Sequence, residues 1–100
     1  MPSSDLDQDE ILRRGTPTRA VVVRSQWSGL LSRDGVGLYT IVLNVTGHDG
    51  ARQVTIGSAV PELAVPCLRP GTDLPVRVLA DDVRAVAVDF DLTVREAAPG

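Results

Sequence analysis

Few residues of this 100-residue chain carry chemistry beyond packing. They are a histidine and an aspartate at His48 and Asp49, a lone thiol at Cys67, aspartate pairs at Asp81/Asp82 and Asp89/Asp91, and the set Trp27, Leu30, Leu31 and Arg33. His48 and Asp49 are of the right types for an acid–base couple, but they stand in the stretch GHDG, which reads as a hairpin tip. A general base needs a pocket and a second positioned group, and neighbours at a tip have neither. Asp89 and Asp91 are spaced to share one face of a strand, with carboxylates roughly 6 to 7 Å apart, a spacing that suits a divalent cation. Hard cations want six or more oxygen ligands, however, and no oxygen-rich loop accompanies either aspartate pair. A reactive thiol needs a base or positive charge to hold its thiolate, and the only histidine lies far from Cys67 in sequence. Cys67 is therefore expected to pack as a small hydrophobe.

Composition narrows the function classes further. All ten basic residues are arginine, spread singly along the chain but for Arg13 and Arg14, while the net charge is −3 and acids gather at Asp5, Asp7, Asp9 and Glu10. Binding to polyanions draws on clustered basic side chains, so the pattern argues against a nucleic-acid partner. One cysteine excludes an internal disulfide and makes no cysteine metal site. The acidic start MPSSDLDQDE is unlike a signal peptide and no apolar run is long enough for a membrane span, which predicts a soluble, cytoplasmic protein without membrane insertion. No phosphate loop, nucleophile elbow or zinc motif is present, so the expectation is a non-enzyme that takes no cofactor and no metal.

The elements that must position these residues follow from periodicity. Residues 1–14 read as a tail and short helix, with Ser4 or Asp5 as cap, Arg13 and Arg14 in the last turn, and Gly15 and Pro17 as the stop. Residues 15–95 read as one domain of five strands, and 96–100 as a tail. TRAVVVRSQW is rich in β-branched residues and reads as a strand covered on both faces for part of its length. SGLLSRDGVG reads as a connecting loop. In LYTIVLNVTG, Tyr39, Ile41, Leu43 and Val45 share a face, and a hairpin leads to Val54, Ile56 and Val60 with Ser58 between them. The proline-rich PELAVPCLRPG reads as an irregular crossing, with Leu63, Val65 and Leu68 capping the core. Arg69-Pro70-Gly71-Thr72 suits a type II turn. Two strands follow it, the second running through Val86, Val88, Phe90, Leu92 and Val94, with Ala87, Asp89, Asp91, Thr93 and Arg95 on a solvated face. The prediction is all-β: a small five-stranded antiparallel barrel, OB-like or SH3-like, with a short N-terminal helix.

ILRRGTPTRAVVV, followed after two alternating strands by VPELAVPCLRPGTDLPVRVLADDVRAVAVDF, resembles a poorly characterised group of short bacterial β domains common in actinobacteria. The likeness covers roughly residues 11 to 90 and departs from the group's pattern at LADDVRAV, where an Asp-Pro corner is usual. It implies a small β-barrel and supplies no catalytic residues. Strand addition to a sheet edge needs little more than backbone groups and a few side-chain pockets. The expectation is thus a protein-binding or assembly module with another protein as partner, and the composition is compatible with homo-oligomers. Trp27, Leu30, Leu31 and Arg33 form the expected contact patch. The alternative is an OB-type binder of single-stranded nucleic acid or a small ligand, using Trp27 with Arg24 and Arg33 as platform.

Overall fold

The structure, a computed structural model, describes residues 8–47, 50–79 and 82–97. Five strands form one antiparallel, nearly closed barrel, with a short helix before the first and another after the last. The elements are α1 (Gln8–Arg14), β1 (Thr16–Leu31), β2 (Gly37–Gly47), β3 (Gly50–Ala59), a 3₁₀ helix (Glu62–Leu68), β4 (Asp73–Leu79), β5 (Asp82–Val88) and α2 (Phe90–Ala97). The strand order is β3-β2-β1-β4-β5, and the two end strands approach each other within 8 Å between Cα atoms without pairing. Ser4 and Asp5, expected as helix caps, lie outside the described residues, as do His48, Asp49 and Asp81.

A single long, bent strand makes this closure. β1 pairs β4 from Thr16 to Val21 and β2 from Ala20 to Leu31, so both halves of the barrel hang on it. Its register against β2 slips between Val22 and Arg24 and again between Trp27 and Leu31. An extra residue in one strand bends it and raises its twist, which is what a strand shared by two sheets needs. Inside lie Ala20, Val22, Ile41, Leu43, Val54, Ile56, Leu74, Val76, Val86 and Val88, nearly all branched and small, with Ala64 and Leu68 of the 3₁₀ helix closing one end. The Pro70-Gly71 turn forms as expected, with Gly71 at φ 90° and Thr72 N donating to Arg69 O at 3.1 Å.

Four expectations are corrected. The stretch 28–37 is not a loop: β1 runs to Leu31, and only the turn around Ser32–Val36 separates it from β2. Val21 and Val23 are about two-fifths exposed at 40% and 41%, so β1 is not covered on both faces there. Of the three residues expected to cap the core, Leu63 points to solvent, whereas Val65 and Leu68 pack on it together with Ala64. The last strand ends at Val88, and residues 90–97 are helical.

That last boundary has a long-range cause. Asp89 N–H continues the ladder by donating to Pro75 O at 3.0 Å. The return bond requires an N–H at position 75, and proline has none. The carbonyl of Asp89 instead accepts from Thr93 N at 2.9 Å and Thr93 Oγ1 at 2.8 Å, while its side-chain Oδ1 accepts from Leu92 N at 3.0 Å. Asp89 thereby becomes the N-cap of α2. Phe90 and Val94 then pack on the barrel core, and Thr93 is buried. Arg19 ties the helix back to the sheet, its Nε 2.8 Å from Asp73 Oδ1 and its Nη1 3.1 Å from Glu96 Oε2.

The N-terminal helix docks. Ile11 packs with Leu79, Ala85 and Ala87, so the face of β5 expected to be solvated is covered at Ala87. Gly15 allows the close approach: a Cβ there would lie 2.6 Å from Ile11 O, 3.0 Å from Arg77 Cβ and 3.1 Å from Val78 N.

Candidate interaction site

The hairpin of β1 and β2 continues beyond the core, and its sequence explains the shape of its end. Trp27 pairs with Tyr39, and the next matched pair is Leu31 with Gly37. Three residues of β1, Ser28 to Leu30, therefore stand against one of β2, and Gly29 takes up the excess with φ 85°. That conformation is open to glycine at no steric cost. Ser28 fixes the bulge from both sides: its hydroxyl donates to Leu38 O at 2.7 Å and accepts from Leu30 N at 3.2 Å. The bulge turns Leu30 and Leu31 outward at 63% and 62% exposure, beside Trp27 at 55%. Arg33 lies exposed in the turn. The structure brings the four expected contact residues to one end of one hairpin. Gly37 matters here too, because a Cβ would meet Tyr39 Cε1 at 3.2 Å and Trp27 Nε1 at 3.4 Å.

Next to this patch lies an open groove of about 600 Å³ at the end of the seam between β3 and β5 where those strands finish at Ala59 and Val88, its upper end. Leu30, Leu38 and Tyr39 form one wall, Val88 and Phe90 the other, and Gly57 and Ala59 of β3 an edge. Among the described residues, Asp89 and Asp91 are the only charged ones lining it, and neither forms an ion pair. Gln8 of α1 reaches across, its Nε2 donating to Gly57 O at 3.1 Å and its Oε1 accepting from the Ser58 hydroxyl at 3.0 Å.

The other chemical candidates do not form a second site. Asp89 caps α2 and Asp91 sits in its first turn, so the two carboxylates do not line one strand face as a cation site would require. No group of three or more His, Cys, Asp or Glu suited to a metal occurs among the described residues. Cys67 is half-buried on the 3₁₀ helix and packs against the core, in keeping with a hydrophobe's role. No described helix is long and apolar enough to cross a membrane.

Sequence reasoning missed the groove. One signal was present: Ser58 interrupts the inward face Val54, Ile56, Val60, and at 6% exposure it is a buried polar side chain that must find a partner. Its partner Gln8 is 50 positions away and belongs to a helix read only for its capping residues. Nothing local marks that contact. No protein-family model, curated protein or solved structure matches this chain.

Proposed function

We propose that the chain is a non-enzymatic protein-binding or assembly module, soluble in the cytoplasm, that meets its partner through Trp27, Leu30, Leu31 and Arg33. The observation that carries this reading is the exposure of three large apolar side chains at one hairpin end, each more than half open to solvent. Single exposed leucines need no explanation, but a cluster held out by a bulge leaves apolar area in water that association would remove. Tryptophan and arginine are also the types that most often carry interface energy. The test is affinity capture with wild-type protein beside a Leu30→Asp/Leu31→Asp variant, followed by titration of the purified partner. A loss of at least about tenfold in affinity, or about 1.4 kcal/mol, is expected, and equal binding by the variant rejects the patch.

The strand order supports an OB-type rather than an SH3-like barrel, since β1 lies between β2 and β4, a helical link joins β3 to β4, and β3 comes round to β5. This gives the second reading, a binder of single-stranded nucleic acid or a small ligand, its one specific support. Such sites combine stacked aromatics with a basic groove, whereas the groove beside Leu30 carries two aspartates. Fluorescence anisotropy with oligo-dT decides it: binding that is salt-dependent and lost in Trp27→Ala would place this reading first.

A further inference from the structure

The exposed edge of β3 identifies a mode of partner binding. In an antiparallel ladder, alternate residues direct both backbone groups to the same neighbour. Val60 N–H donates to Gly37 O on the β2 side, and Gly57 O receives Gln8 on the opposite side. Thr55, Gly57 and Ala59 therefore direct their N–H and C=O groups into the seam, where β3 has no strand partner. Among the described residues, these groups are met only by Gln8 Nε2 at Gly57 O and by the Ser58 hydroxyl, whose single hydrogen goes either to Gln8 Oε1 or to Ala59 O. The Gln8 side chain ends in an amide whose N–H is a donor of the same kind as a peptide N–H, and it donates where the N–H of an added strand would donate.

We propose that the upper seam binds a short extended segment of a partner protein, carrying apolar and basic side chains, which pairs with Gly57 and Ala59 and displaces Gln8. The proposal rests on the reading of the chain as a protein-binding module. Three features select this occupant. The groove offers apolar walls at Leu30, Leu38 and Phe90, and the charge that the described residues place on it is negative, from Asp89 and Asp91. Gly57 has no side chain and there is open space where a Cβ would stand, so nothing on that face obstructs a segment laid along the edge. The same charge disfavours the acidic segment that precedes α1, with its Asp5 and Asp7.

The probes are a fluorescent peptide alternating valine with lysine, its valine–glutamate counterpart, and a valine–lysine version N-methylated on alternate backbone nitrogens. Anisotropy titrations with wild type, Gln8→Ala and Ala59→Pro read the contact. The valine–lysine peptide is expected to bind wild type, and to bind Gln8→Ala about three- to tenfold more tightly because one competing hydrogen bond is gone. N-methylation, the glutamate peptide and Ala59→Pro should each weaken binding at least about tenfold, proline being tolerated on an edge whose N–H faces the seam. Should Ala59→Pro fail to fold, the N-methylated peptide against wild type reads the same bond. Indifference to N-methylation, equal binding of the glutamate peptide, or no binding even to Gln8→Ala overturns the proposal. So does a dimer of the free protein that dissociates in Ala59→Pro, which would put a second copy on the edge. A partner captured through Leu30 and Leu31 together with failure of the peptides would reject strand addition alone and leave the module reading standing.

Discussion

Replacing Asp89 separates two accounts of the same carboxylate. As a cap, its Oδ1 accepts the Leu92 N–H at 3.0 Å and satisfies one of the donors left over in the first turn of α2. Asp89→Ala removes that acceptor and should cost about 1 kcal/mol, within the usual range of about 0.5–2 for a lost N-cap. For a domain of this size that lowers Tm by about 4–8 °C. Asp89→Asn keeps an oxygen in place and forfeits only the attraction of the charge to the helix N-terminus, about 0.3 kcal/mol at its smaller end, so it should melt within about 3 °C of wild type. As half of a cation site with Asp91, the carboxylate would behave otherwise: millimolar Ca²⁺ or Mg²⁺ would raise Tm in wild type, and asparagine would abolish the rise as fully as alanine. Thermal melts of the three proteins with and without each cation distinguish these outcomes. A cation-dependent rise, or an asparagine variant as damaged as the alanine one, refutes the capping argument.

Other substitutions probe the rest of the frame. Gly15→Ala forces a methyl to within 2.6 Å of Ile11 O and should destabilise by about 1–3 kcal/mol, read from urea unfolding; an unchanged midpoint would mean α1 does not sit against β4 as described. Val88→Asp places a charge at a 2%-exposed core position, costing several kcal/mol against a total of about 5–15, so circular dichroism should show loss of the cooperative melt. Leu30→Asp/Leu31→Asp changes only exposed side chains and should leave stability within about 0.5 kcal/mol per site, so that any loss of binding reports the surface itself.

Much of this fold was legible because its signals are local. Alternation in LYTIVLNVTG and ARQVTIGSAV identifies two strands whose inward residues Ile41, Leu43, Val45, Val54 and Ile56 are all buried, since a period of two places every second side chain on one face. Proline at 70 and glycine at 71 specify their turn through their own φ preferences, and Arg13, Arg14 and Gly15 mark where the first helix stops. Trp27, Leu30, Leu31 and Arg33, the proposed contact residues, stood out in the sequence by type. Their exposure was not, because it depends on a bulge whose partner residues lie on β2.

The sequence by itself determined that there are five strands, though not where the first and last of them end, and it determined the turn and the first helix, because backbone preference and side-chain period act between residues a few positions apart. Only the tertiary structure decided the rest. Phe90, Leu92 and Val94 alternate as well as any strand, yet they enter a helix because Pro75, across the ladder, has no N–H to offer Asp89. Ala87 falls on an outward face, yet it is buried because Ile11 of α1 lands beside it. The groove exists because the barrel stops short of pairing β3 with β5, leaving backbone groups that Gln8 meets from a distant part of the chain. Each of these outcomes turns on a hydrogen bond or contact whose second member has no fixed distance along the sequence.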